Sequence, residues 1–350
     1  MSLCCFFICT LHEFEIQYHY RGSVMTLKIE QFIVNKSAGI KEYARQLNEH
    51  IGVSDDYGGC IKNYNEPIEK NAVGIFHFSN ATRFVLLPLM RRKGLKNLVI
   101  VHDILPRTWW LRGLNRLFFR IINSCATHII VHTQCAKKLL LEVCGFIVSS
   151  RVTVIPHGIF ISDVPDSEKE RVRQLYGFSP HDKILFSLGV ISKPRGQLAF
   201  LETFAALGEK KLKLIVAGKC RSQRAAELMK KNDTIFYYGF ATNPQVWDFY
   251  KMCDAVVVYR QYSVGESSSS IAYGLGFGRP SLVSNVDSFK EMLANSGLLF
   301  ENNRGAIVKM LQQIASGEID LEILQQKVRT IREHYTWENY FQKIMALITQ

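Results

Sequence analysis

Residues 183–218 read KILFSLGVISKPRGQLAFLETFAALGEKKLKLIVAG, and the order of patterns in them decides the fold. "KILFSLG" and "KLKLIVAG" are apolar runs of strand length. Between them lie a loop ending in glycine, "VISKPRG", and a segment of helix length. Buried parallel strands carry near-continuous apolar runs and need a crossover between them, so this is a strand–helix–strand unit. The pattern recurs downstream in "TIFYYGF" (234–240), "DAVVVYR" (254–260) and "RPSLVSN" (279–285). Upstream it appears in "GIFHF" (74–78), "NLVIVHD" (97–103) and "ATHIIVHT" (126–133). The expected class is α/β, with two Rossmann-like, doubly wound parallel-sheet domains and a cleft between them.

Between the two series, Pro156, Gly158, Pro165 and Pro180 interrupt any long element, which puts the junction there. The expected divisions are an atypical extension over residues 1–24, an N-terminal domain over 25–165, a C-terminal domain over 166–335, and a last helix over 336–350. Trp337, Tyr340, Phe341, Ile344 and Leu347 give that helix one apolar face, suited to packing back on the N-terminal domain.

Apolar residues at 47% and charged residues at 21% suit a globular chain and exclude a disordered one. The 43 Lys and Arg outnumber 31 Asp and Glu, so an anionic partner is expected: nucleic acid, a phosphorylated small molecule or an acidic membrane. No recognisable nucleic-acid module organises the basic residues, which sets the first aside. Nine scattered cysteines without a Cys-x-x-Cys pair read as free thiols of a reducing cytoplasm. No apolar run has bilayer-spanning length, and the apolar opening "SLCCFFICTL" lacks the basic start of a secretory signal. The expected location is the cytoplasm, peripheral to the inner membrane face.

In doubly wound sheets ligands bind beyond the carboxyl ends of strands. Lys193 and Arg195 stand there after "ILFSLG", placed to pair with a diphosphate or to be incidental surface charge. In "YSVGESSSSIAYGLGFGRPSLVSN" (262–285), four serines are poor helix interior but good helix start. The stretch reads as a loop feeding a helix N-terminus, where free N–H groups and the positive dipole end suit phosphate. Glu266, just before the serines, can accept from sugar hydroxyls or simply stabilise the helix start. His102 follows "NLVIV" and faces the expected cleft, as base, hydrogen-bond partner or structural histidine; His157 lies in the junction. Gly39 opens a helical pattern, its small neighbours letting backbone approach a ligand. No G-x-G-x-x-G follows the first strand, which argues against a dinucleotide oxidoreductase. In "PRTWWLRGLNRLFFRII" (106–122), Arg112, Arg116 and Arg120 form a stripe with Trp109 and Phe119, while Trp110, Leu114, Leu117, Phe118 and Ile121 make a separate core face. Such a stripe suits an acidic membrane surface or is an ordinary solvated face.

Five motifs in order, "VHD", "VIPHGI", "SLGVISKPRG", "YYGFATNPQVWDFYKMCDAVVVYR" and "GESSSSIAYGLGFGRPSLVSNVDSFKE", resemble the retaining GT-B glycosyltransferases of the glycosyltransferase family 4 type, over residues 30–345. The resemblance implies a nucleotide-sugar donor held by the C-terminal half, with no metal or cofactor, and a saccharide or lipid-linked acceptor held by the N-terminal half. It carries Gly39 to the donor-phosphate loop and His102 to the transferred sugar. Gly189, Lys193 and Arg195 fall at the phosphate-binding strand end, where Arg195 replaces the usual lysine and Val190 the usual arginine. Ser267, Ser268 and Ser269 offer hydroxyls and N–H groups to the diphosphate, and Glu266 orients the sugar. Tyr273 stands where the family has a ribose-binding carboxylate, and Glu291 matches a further acidic donor position. His102, Glu266 and Arg195 are the expected catalytic set, in an enzyme of cell-surface glycan biosynthesis. The other readings are a nucleotide-sugar epimerase and a catalytically weakened scaffold, the latter motivated by Val190 and Tyr273.

Overall fold

The computed structural model describes residues 18–20, 23–25, 28–34, 38–53, 58–63, 65, 66, 69, 71–107, 112–293 and 295–350. Strands β1 (Tyr18–Tyr20) and β2 (Ser23–Met25) pair antiparallel, so part of the segment read as an atypical extension forms a small hairpin. The N-terminal sheet has strands β3 (Lys28–Ile33), β4 (Gly58–Asn63), β5 (Val73–Phe78), β6 (Asn97–Val101), β7 (His128–Val131) and β8 (Val152–Val154). They run parallel in the order β4-β3-β5-β6-β7-β8.

The C-terminal sheet has β9 (Lys183–Leu188), β10 (Leu212–Ala217), β11 (Ile235–Tyr237), β12 (Ala255–Val258), β13 (Ser281–Ser284) and β14 (Leu298–Phe300). These are also parallel, in the order β11-β10-β9-β12-β13-β14. The chain order reverses between β9 and β12, leaving a crevice at their carboxyl ends. The α/β, two-sheet expectation is borne out.

Right-handed crossovers sort the helices by face. In the N-terminal domain, α1 (Ala38–Val53) lies on one face, while α2 (Leu86–Arg91), α3 (Arg112–Cys125) and α4 (Gln134–Val143) share the other and bury Leu89, Phe119, Ile122 and Leu140 against Phe76 and Val99. The C-terminal sheet is covered by α5 (Asp166–Leu175), α6 (Gln197–Leu207), α7 (Gln223–Lys231), α8 (Asn243–Met252), α9 (Ser269–Gly276), α10 (Asp287–Leu293), α11 (Arg304–Ser316) and α12 (Leu321–Ile331). The final helix, α13 (Trp337–Thr349), shares one buried cluster with β3, α1 and β5 through Trp337, Ile344, Ile29, Leu47 and Ile75. Among the described residues no helix is long and apolar enough to cross a membrane.

Helix α3 corrects the expected assignment of faces. Asn115, Phe119 and Ile122 turn inward, whereas Leu114 and Leu117 are exposed beside Arg116 and Arg120. The core takes the stripe spaced three and four residues apart that continues to Ala126, and that stripe excludes 114 and 117. The Arg112 side chain, Trp109 and Trp110 lie outside the described residues.

Candidate functional site

The two domains meet through residues just past strand ends, so the carboxyl edges of both sheets face one another. Beyond β6, the N–H groups of Ile104 and Leu105 both donate to the Val264 carbonyl beyond β12, each at 2.9 Å. Gly265 is left-handed there (φ 76°), and a Cβ on it would come within 2.5 Å of Ile104 Cγ1. Both conditions call for glycine.

That seam holds Glu266, which is 8% exposed. Its Oε2 accepts from the Val264 N–H (2.7 Å) and the Ser263 hydroxyl (3.3 Å); its Oε1 pairs with Arg107 of the other domain and lies 3.8 Å from Arg260 Nε. Burial pushes the Glu266 carboxyl up, but Arg107, the Val264 N–H and Arg260 outweigh it and hold the acid ionised.

Arg195, at the end of a 3-10 turn beyond β9, is mostly buried and faces Gly189, where a Cβ would lie 3.5 Å from its Nη1. Among the described residues it has no carboxylate within ion-pair distance. Burial and the neighbouring Arg107 lower its affinity for its proton. Arg260 is more extreme: burial, then Arg195 and Arg107, bring it down to about 9. Three guanidiniums gathered around a single ionised glutamate form a site built for an anion. Lys193 is exposed in the same turn, and Gly39 sits in the first turn of α1 with open space beside it.

The four serines divide their work. Ser268 caps α9, its hydroxyl accepting from the Ile271 N–H, and the Ser270 hydroxyl donates to the Leu188 carbonyl at 3.2 Å. The hydroxyl oxygen of Ser268 thus serves the helix start, while Ser267 and Ser269 remain partly exposed. The Tyr273 hydroxyl accepts from Gln46 on α1 (3.4 Å) and its ring packs edge-on to Trp247, so it supports the domain contact. Glu291 accepts from the backbone N–H groups of Gln134 (2.6 Å) and Cys135 (3.0 Å), capping α4 across the interface. Its carboxylate closes the domain seam.

His102 is one of four histidines, with His77, His132 and His157, packed around the Tyr43 ring at centroid distances of 4.7–5.6 Å. Burial holds all four neutral: His77 and His157 fall to about 3, His132 to about 4, and His102 well below its ordinary value. Neutrality fixes the tautomers. The Gln31 amide nitrogen donates to the Ala44 carbonyl (3.2 Å), so its oxygen faces His77 Nε2 (2.9 Å), which must carry the proton. His77 Nδ1 is then an acceptor, and His102 Nε2, at 3.2 Å, is the donor to it. His102 is left with an unprotonated Nδ1, an acceptor for a hydroxyl rather than a cation for a phosphate.

Asp103, next in sequence, is pushed up to about 6 by burial, against two 2.8 Å hydrogen bonds from Asn80 and the pull of Arg107. The sequence reading missed Arg107, Arg260 and Asp103 as site residues. All three follow strands, so the strand-end rule that found Arg195 applies equally to them.

Two facing Rossmann-like domains define the class of GT-B proteins. Residues 168–331, which span the C-terminal sheet, match the family described as glycosyl transferases group 1. No curated protein sequence matches it significantly. Among solved structures it resembles Anabaena Alr3699/HepE in complex with UDP and glucose, at 13% identity and a TM-score of 0.75, over 92% of this chain and 99% of that one. It also resembles sucrose-phosphate synthase from Thermosynechococcus elongatus, at 13% identity and a TM-score of 0.69, over 93% and 98%. An Escherichia coli trehalose-6-phosphate protein bound with UDP-2-fluoro glucose aligns at 10% identity and a TM-score of 0.64, over 92% and 99%.

Proposed function

We propose that the protein transfers a sugar from a uridine diphosphate donor to a saccharide or lipid-linked acceptor, with retention, in cell-surface glycan synthesis at a membrane face. The observation that carries the donor half is the cluster of Arg107, Arg195 and Arg260 around Glu266 at the β9/β12 crevice. The UDP-bound neighbours support the choice of nucleotide, and the motif resemblance supports retention.

In the reaction the bond from the anomeric carbon to the β-phosphate oxygen breaks, one to the acceptor oxygen forms, and the acceptor's hydroxyl proton leaves with the diphosphate. Negative charge collects on the departing diphosphate. Arg195 and Arg260, held desolvated before it arrives, stabilise that charge without reorganising. Glu266 and His102 Nδ1 accept hydrogen bonds from sugar hydroxyls and set the orientation of the ring.

Calorimetric titration with UDP tests the donor site. Arg195→Ala is expected to weaken binding by about 1.5–3 kcal/mol, roughly tenfold to a hundredfold. Unchanged affinity would remove the site from this crevice.

The affinity should also depend on pH with a defined sign. Asp103 binds its proton more tightly folded than unfolded, so its charge appears as pH rises through about 6. The ionised form opposes an anion, so binding of UDP-glucose, whose diester diphosphate has no group titrating at about 6, should weaken across that range. The four neutral histidines contribute no titration there. Asp103→Asn should flatten the profile; the same slope in this variant would assign the titration elsewhere.

A further inference from the structure

Charge along the chain is segregated. Between Glu69 and Glu142 there are twelve Lys and Arg and one carboxylate, Asp103, so this stretch holds nearly all of the net +12. Asp103 is turned into the seam and bonded to Asn80. The segment that supplies α2, α3 and α4 therefore faces solvent with no acid before Glu142.

The same helix layer exposes large apolar side chains. Phe84, in the turn that enters α2, with Leu87 and Met90 on α2 and Leu114 and Leu117 on α3, are each 43–50% exposed. The two helices pack against one another on one face of the sheet, so these positions lie on adjoining outer surfaces. Arg91, Lys93, Arg116 and Arg120 are exposed among them. Exposed apolar residues are ordinary when single, but five on neighbouring helices, ringed by cations and without acids, are not. This is the composition of an interfacial surface: apolar side chains that enter the headgroup region and long basic ones that reach phosphates.

We propose that the outer face of α2 and α3 docks the protein on a bilayer of anionic phospholipid. Charge complementarity selects this occupant, since a second copy would bring its own basic face against the first. The face belongs to the domain assigned to the acceptor, and α3 follows the β6 loop that carries His102 and Arg107. The docked enzyme would thus meet an acceptor whose lipid stays in the membrane. This deepens the membrane-face reading above. Its test needs no turnover, so its failure would leave the transferase reading standing.

Flotation of the full chain with phosphatidylcholine vesicles, with and without phosphatidylglycerol, is the measurement. Binding is expected only with the anionic lipid and should fall as salt is raised. Arg116→Ala with Arg120→Ala should lower it on the order of tenfold. Leu114→Glu with Leu117→Glu should abolish it, while melting temperature and UDP affinity stay at wild-type values in both variants. Absence of wild-type binding to anionic vesicles, or equal binding by the variants, would overturn the proposal. So would a wild-type dimer in sedimentation velocity that the leucine variants convert to monomer with vesicle binding intact.

Discussion

Trp337→Ala is expected to lower folding stability by about 3–5 kcal/mol, the range for truncating a large aromatic in a close-packed core. Trp337 is fully buried, and its ring lies 4.9 Å from Tyr43, 5.2 Å from Tyr340 and 5.7 Å from His157 between centroids. Its Nε1 donates to Gln46 Oε1 at 3.2 Å, so truncation also leaves a buried acceptor without its donor. Collapse around the hole is restricted, because Gly158 already approaches the indole more closely than any Cβ could. Urea unfolding reads the loss as a lower midpoint at unchanged slope. A loss near 1 kcal/mol would mean that α13 is only loosely seated on α1 and β3.

Glu266→Gln should reduce turnover on the order of a hundredfold to a thousandfold, the cost of removing one preorganised electrostatic group from an active site. The amide keeps the shape but can no longer balance Arg107, and its nitrogen would face either that guanidinium or the Val264 N–H. Nucleotide affinity should move the other way. Removing the negative charge from among Arg107, Arg195 and Arg260 leaves the crevice more positive, so UDP should bind at least as tightly as to wild type. Turnover and affinity measured on one preparation separate this result from a folding defect, which would weaken both. Wild-type turnover in the variant would end the assignment of Glu266.

The strands that carried the sequence argument, such as "NLVIV" and "KILFSL", are mostly apolar and appear in the sheets where their runs stood. The element β4 was invisible because "GGCIKN" starts with two glycines and ends on two polar residues; its place is set by pairing with β3. Likewise β8 and β14 have only three residues each, too few for periodicity to register. Within the site, Arg195 and Glu266 could be read from their positions after strands. The pairing of Arg107 with Glu266 could not, since 159 residues separate them and only the docking of two domains brings them together. For Tyr273 and Glu291, assigned through the family resemblance, what the sequence could not show is that groups of the opposing domain engage their polar atoms. In α3 the composition was right and the phase was wrong, because a stretch with apolar residues on nearly every side gives several equally good stripes.

The placement of α13 bears on the order in which the protein is made. Ile29, Leu47 and Ile75 leave the ribosome early, but the tryptophan that covers them follows the whole C-terminal sheet in sequence. The domain begun first is thus completed last, after its partner has been synthesised in full. Until α13 emerges, the growing chain carries an uncovered apolar face on α1 and β3, the kind of surface that chaperones bind on nascent multidomain proteins.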